Sequence, residues 1–351
     1  MDFRLKLGIA AALVVFVIGT SLALNDQPLA RYSGASGPSD TLRLGYFPNV
    51  NHAQAVIGVG NGDYQKAFGG IKLETQIFNA GPAAVEALSA NRIDCSYVGP
   101  NPAVNGYLKS EGSLKVVSGV SSGGAVFVVR DDAGINSPDD LAGKKLGSPQ
   151  LGNTQDVALR NYLKSHGYDV QIIGGDPEIA PAKTADILTL MVKKEMDGAW
   201  VPEPWGARLV REANARILVN EQDLWQDGKF ATSLLICKAS YIESNPETVK
   251  RLIEAHVSET QWINSHKEQA IKSFNTAVAE ILGSEFNEDD LRTSLTRMEF
   301  TYDPLEETVQ KAADDAYALG LLDKEPDLSG MFDLQILNGV LQERGLATTA
   351  G

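Results

Sequence analysis

Between residues 41 and 130, short apolar runs alternate with segments of helical spacing, and the helical segments open on Gly-Pro, Asn or Pro signals. No other feature constrains the fold as much. Residues 42–47, 71–78, 93–98, 114–120 and 125–130 read as strands; 52–68, 83–90 and 99 to 109 read as helices, with Pro82 at a favoured first-turn position. The order β-α-β-α-β-α-β-β implies an α/β fold whose sheet is mostly parallel and covered by helices on both faces. A second unit of the same kind follows. It has strands at 144–148, 170–173, 198–201 and 215–220 and helices at 153–166, 184–194 and 204–214. After a strand at 231–237 the chain turns helical, over 246–264, 267–282, 288–296, 304–319 and 331–343. At 351 residues the chain exceeds the usual size of one hydrophobic core, in keeping with two domains.

The amino terminus follows a different rule. After Arg4 and Lys6, residues 7–24 carry no charge, and Thr20 and Ser21 are their polar side chains. We expect 1–24 to be a signal peptide or an uncleaved membrane anchor, with Ser21-Leu22-Ala23 as a small-residue cleavage site. No cysteine follows it, which excludes a lipoprotein anchor. Residues 25–40 read as a flexible tether, so the folded part begins near Thr41 and works outside the cytoplasm. A net charge of −14 repels phosphate backbones and argues against nucleic-acid binding. Cys95 and Cys237 read as two small buried hydrophobes, with a long-range disulfide between them as the alternative. No two of the four histidines have zinc-site spacing, so neither a metal nor a cofactor is expected.

The informative positions are helix starts that directly follow strands: Asn49-Val-Asn51-His52, Asn79-Ala-Gly81-Pro82, Gly99-Pro-Asn101-Pro102 and Gly152-Asn153-Thr154-Gln155. In open α/β folds such starts lie at the carboxyl edge of the sheet, where ligands bind. Their free N–H groups and helix dipole attract an anion without lysine or arginine. Each is also an ordinary helix cap; as a set aimed at one crevice they point to binding. Gly119-Val-Ser121-Ser122-Gly123 matches the nucleophile-elbow pattern, but a strand follows where an elbow needs a helix, so Ser121 and Ser122 are read as ligand hydrogen-bonders. The Gly58–Gly62 region lacks dinucleotide-fingerprint spacing. Pro202-Glu203-Pro204-Trp205 is a rigid turn expected to bring one carboxylate and one indole to the cleft. Such a carboxylate would favour an amine or hydroxyl and oppose a bare anion. Tyr46, Phe47, Tyr97 and Trp200 are candidates for pocket walls or core.

With these pieces in order, the chain resembles an extracytoplasmic solute-binding protein of an ABC importer, from the group that binds nitrate, taurine, aliphatic sulfonates and pyrimidine precursors. The resemblance is carried by Leu42-Arg-Leu-Gly-Tyr46, by the run from Ala80-Gly-Pro-Ala-Ala to Asp94, by Ser137-Pro-Asp-Asp-Leu, by Gly152-Asn-Thr-Gln-Asp and by Asp197-Gly-Ala-Trp-Val-Pro-Glu-Pro-Trp205, and spans about 41–300. It implies a two-lobed, type II periplasmic-binding-protein-like fold, with mixed sheets covered by helices and a ligand cleft between the lobes. Lobe one would comprise 41–130 plus 231–351 and lobe two 131–230, with crossovers near 129–132 and 229–233. The implied ligand contacts are Asn51, His52, Gly81, Pro82, Asn101, Asn153 and Thr154, with Glu203 and Trp205 entering from the second lobe; Ser121 and Ser122 join them from the reading above. The implied partners are a small polar organic ligand, sulfonate- or taurine-like, and an ABC permease with its ATPase, and the receptor would be a monomer. The membrane would be met only through the N-terminal segment if it is uncleaved. Alternatives are nitrate or a pyrimidine-like nitrogen heterocycle as ligand, a pyrimidine-synthase-like enzyme of the same fold, or a ligand-sensing domain. That enzyme carries a cysteine cluster, whereas Cys95 and Cys237 stand alone here.

Overall fold

The computed structural model describes residues 39–349. The expected signal peptide or anchor, and the tether up to residue 38, lie outside the described residues. Among the described residues no helix is long and apolar enough to cross a membrane.

The first stretch runs β1 (Thr41–Tyr46), α1 (Ala53–Gly60), α2 (Asp63–Phe68), β2 (Lys72–Ile77), α3 (Gly81–Ser89), β3 (Cys95–Val98), α4 (Pro100–Lys109) and β4 (Leu114–Gly123). The second holds β5 (Ala125–Arg130), β6 (Lys145–Ser148), α5 (Thr154–Ser165), β7 (Glu178–Pro181), α6 (Thr184–Val192), β8 (Gly198–Pro202), α7 (Trp205–Glu212) and β9 (Ala215–Asn220). The chain returns through β10 (Ala231–Lys238), α8 (Ala239–Ser244), α9 (Pro246–Ser265), α10 (Lys267–Leu282), α11 (Glu288–Leu295), β11 (Met298–Phe300), α12 (Glu306–Ala318) and α13 (Gln335–Glu343).

Two sheets result, a six-stranded one ordered β11-β4-β10-β3-β1-β2 and a five-stranded one ordered β7-β6-β8-β5-β9. Both are mixed rather than mostly parallel. β1 runs parallel to β2 and β3, and β6 to β7 and β8, whereas β10 is antiparallel to β3 and β4, and β5 to β8 and β9. β5 and β10 are the strands by which the chain enters one sheet from the other. They start on the side where the parallel strands end, so they run against them. β3, β5 and β8 are buried along their whole length, as strands covered on both faces require.

Three expectations need correction. The first passage between the sheets falls at Gly123–Gly124, not near 129–132, because 125–130 pairs with β8 and β9 in the second sheet. Residues 170–173 form no strand: Ile173 is 88% exposed, so this apolar run has no surface to cover. The strand beside β6 is instead β7, an edge strand, where the terminal Pro181 is tolerated. Finally, Cys95 and Cys237 are not two free buried thiols. They lie opposite each other on β3 and β10 and form a disulfide spanning 142 residues.

Where β9 ends, a short 3-10 turn, Glu221–Leu224, leads toward β10. Glu221 is buried and accepts a 2.6 Å hydrogen bond from the Trp200 indole. Burial pushes its carboxyl up from 4.5 to about 7. A carboxyl raised in the folded state contributes stability that is present below its unfolded value and lost as pH rises through about 7. Glu221→Gln should therefore gain stability over the parent at pH ~8 and not at pH ~5, read from urea midpoints at both values. An equal difference at both would contradict this.

Candidate functional site

One cleft collects residues that follow the carboxyl ends of strands in both sheets, the place where open α/β folds bind ligands. From the first sheet come Phe47, Asn49, Asn51 and His52 after β1, Asn79 and Ala80 after β2, and Gly99 after β3, with Thr232 and Ser233 on β10 itself. From the second come Pro149 after β6, the α5 start at Asn153, Thr154 and Gln155, Thr184 beyond β7, and Pro202 ending β8. The space between them is about 20 Å³, room for roughly one water. Anything larger than a few atoms enters only if the lobes part. Gly99 permits this approach: a Cβ there would collide with the Thr154 hydroxyl from the other lobe.

The electrostatics are set by backbone. Among the described residues no Lys, Arg, Asp or Glu lines the cleft. The residues preceding α3, α4 and α5 are Ala80, Gly99 and Asn153, and none caps its helix with a side-chain hydrogen bond. Pro82, Pro100 and Pro102 have no N–H to offer, so the uncapped first-turn donors are the N–H groups of Gly81, Ala83, Asn101, Thr154 and Gln155, and these give local positive potential without a cationic side chain. His52 adds a neutral donor. Burial pushes its imidazole down to about 3. Its Nδ1 accepts the Phe47 N–H at 3.3 Å, which leaves the ring proton on Nε2. The ring stacks on Phe47 with centroids 4.4 Å apart. Two buried oxygens, Asn51 Oδ1 and Thr154 Oγ1, have no partner among the described residues. The Asn51 amide is oriented by its Nδ2, which donates to the carbonyls of Gly123 and Gly124.

Of the residues expected from sequence, the cleft brings together Asn51, His52, Asn153 and Thr154. Gly81 and Pro82 sit one step behind Ala80, Gly81 packed on Pro102 and Pro82 in a groove between α3 and α4. Asn101 donates to the Ala312 carbonyl at 2.7 Å, so its amide fastens α12 to α4. Ser121 donates to the Asn51 carbonyl at 3.1 Å, and Ser122 accepts the Phe230 N–H at 3.2 Å; both hold backbone. Trp205 donates to Asn49 Oδ1 at 3.2 Å across the lobes.

Glu203 does not present a carboxylate to the cleft. It has no exposure, and Arg297, Ser294 and the Ala207 N–H occupy its oxygens. Glu203 therefore does not repel an anionic ligand in the cleft. Of the aromatic candidates Phe47 lines the cleft, while Trp200 stacks on Phe127 inside the second lobe and Tyr46 and Tyr97 belong to the core. Asn49, Asn79, Gly99 and Gln155 lie inside the flagged helix-start tetrapeptides and could have been named. Thr232 and Ser233 sit in a run that reads as a buried strand and carry no local signal.

A family model described as the NMT1-like family matches residues 35–280. A Brucella abortus protein provisionally named a binding protein is 28% identical over 259 residues, covering 72% of this chain and 75% of that protein. Among solved structures, the alkanesulfonate-binding protein SsuA from Xanthomonas axonopodis, bound to MOPS, superposes with a TM-score of 0.71 at 21% identity, over 85% of this chain and 100% of that one. The periplasmic nitrate-binding protein NrtA from Synechocystis gives 0.69 at 15% identity, over 88% of this chain and 90% of that one. The architecture is thus the two-lobed α/β fold of periplasmic binding proteins, with mixed sheets covered by helices.

Proposed function

Because the chain belongs to the NMT1-like family and has the two-lobed binding-protein fold, we propose that it is the substrate-binding receptor of an ABC importer. In this reading it captures a small polar organic ligand of sulfonate or taurine type between its lobes and delivers it to a permease with its ATPase. The observation that carries the reading is the uncharged cleft into which the uncapped starts of α3, α4 and α5 open. Such starts suit the oxygens of an anionic head group, because the dipole supplies charge that no side chain provides. Asn51 Oδ1, an acceptor without a donor, suits a ligand that also carries an N–H or O–H. The Cys95–Cys237 disulfide supports work in an oxidising, extracytoplasmic compartment. The role is binding without turnover, and closure draws its energy from contacts to both lobes.

A second reading takes a bare inorganic anion such as nitrate as the ligand, since among the described residues no acidic side chain lines the cleft to repel one. Glu203, committed to Arg297, does not oppose it. Melting curves with methanesulfonate, taurine and nitrate, taken after unfolding and refolding to strip co-purified ligand, separate the readings. A true ligand at about a hundred times its Kd should stabilise by about 2.7 kcal/mol. Gly99→Val, which props the lobes apart at Thr154, should abolish that shift. Absence of a shift with all three compounds would count against the reading.

A further inference from the structure

The passage between the lobes at Gly123–Gly124 is bonded on three sides. Both glycines have φ of +76°, a region that L side chains rarely adopt, so the turn depends on them. From the first lobe, the Arg297 carbonyl accepts the Gly124 N–H at 2.8 Å. From the second lobe, the Glu203 N–H donates to the Gly124 carbonyl at 2.9 Å. The two flanking residues then join each other directly, Arg297 Nη1 donating to Glu203 Oε1. Ser294 of α11 and the Ala207 N–H of α7 donate to Glu203 Oε2 at 3.1 and 3.0 Å. A carboxylate with no exposure is thereby held by donors from both lobes, beside the first crossover between them. The third side is the cleft. Asn51 Nδ2 donates to both glycine carbonyls, and Thr232 Oγ1 donates to that of Gly123. Both residues line the cleft.

We propose that Glu203 and Arg297 are positioning residues that form a pivot clasp setting the balance between closed and open lobes, and that Asn51 and Thr232 tie the cleft to that clasp. Rotation about Gly123–Gly124 moves Arg297 and Ser294 relative to Glu203. A fully buried carboxylate cannot be left without its donors except at large cost, so the clasp favours one discrete arrangement over a continuum. The arrangement it favours is the nearly closed one seen here. The second half of the proposal, that Asn51 and Thr232 carry occupancy of the cleft to the pivot, rests on the reading of the cleft as a ligand site; the first half does not.

The test uses the full chain with its disulfide intact and spin labels at Ser89 in α3 and Lys193 beside α6, both exposed, one on each lobe. Double electron–electron resonance without added ligand reads the inter-lobe distance distribution. The Glu203→Gln/Arg297→Gln pair should broaden it and raise the minor, separated population at least threefold. Arg297→Lys, which keeps the charge, should fall between. Thr232→Val should shift the distribution in the same direction and less. Should the double variant fail to fold, Glu203→Gln alone keeps the side-chain volume and serves in its place. A merely structural role would lower the melting temperature while leaving the distances in the folded state unchanged, and that result would overturn the proposal. Taurine and methanesulfonate are then added to the parent protein. If neither moves its distances, the ligand reading loses support, while the ligand-free comparison still decides the clasp.

Discussion

Asp156→Ala should lower stability by about 3–5 kcal/mol, the cost of stranding a buried charge. Asp156 has no exposure, and Arg160, one turn on in α5, is 1% exposed with its Nε donating to Asp156 Oδ2 at 2.9 Å. Truncation leaves that guanidinium with the Gln171 carbonyl as its remaining hydrogen-bond partner, and its Nη2 already has none among the described residues. The effect should reach the cleft as well. Asp156 Oδ1 accepts from Ser148 at the end of β6, and Oδ2 from the Gly152 N–H, at 2.7 and 2.9 Å. These bonds hold the loop that delivers Asn153 and Thr154 to the site. Urea unfolding near neutral pH measures the first effect and ligand-induced melting shifts the second. An Asp156→Leu/Arg160→Met variant separates them: it should recover much of the stability, since apolar replacement of a buried pair is near neutral, and not the binding. Full recovery of both would show that the loop does not need its tether.

Removal of the disulfide ranks second. Cys95→Ala/Cys237→Ala should cost about 2–5 kcal/mol, because the bond closes a long loop in the unfolded chain. Both residues are fully buried, so the lost sulfur packing adds to the effect. The checks are urea midpoints of the parent with and without reductant, and a count of free thiols in unfolded, unreduced protein. Identical midpoints, or two free thiols, would contradict it. Parent protein produced in a reducing cytoplasm should resemble the double variant.

The two predictions mark how far the sequence could be read. The strand-then-helix signals at Asn51, His52, Asn153 and Thr154 were legible because capping chemistry is local: a Gly, Asn or Thr between an apolar run and a helical one marks an end whose N–H groups need a partner. The alternation itself placed those ends on one edge of each sheet. The Pro-Glu-Pro-Trp turn was legible as a rigid turn but not in its direction. Glu203 turns away from the cleft because Arg297, 94 residues later in the chain, supplies the charge that lets it be buried. Thr232 and Ser233 were invisible for the same kind of reason, since only β10's return across the first sheet brings a core-like strand to the cleft.

The sequence by itself determined the α/β class, the helix starts that make up much of the cleft and an acidic exterior compatible with a neutral site, since all of these depend on neighbours within a few positions. Only the tertiary structure decided which distant residues meet: Cys95 with Cys237 inside the first sheet, and Glu203 with Arg297, Gly99 with Thr154 and Asn51 with the carbonyls of the pivot where the lobes adjoin. A local pattern states what a backbone end or a buried charge requires. Which distant group meets that requirement is settled when the chain returns across its sheets and the lobes adjoin, and no spacing along the chain encodes it.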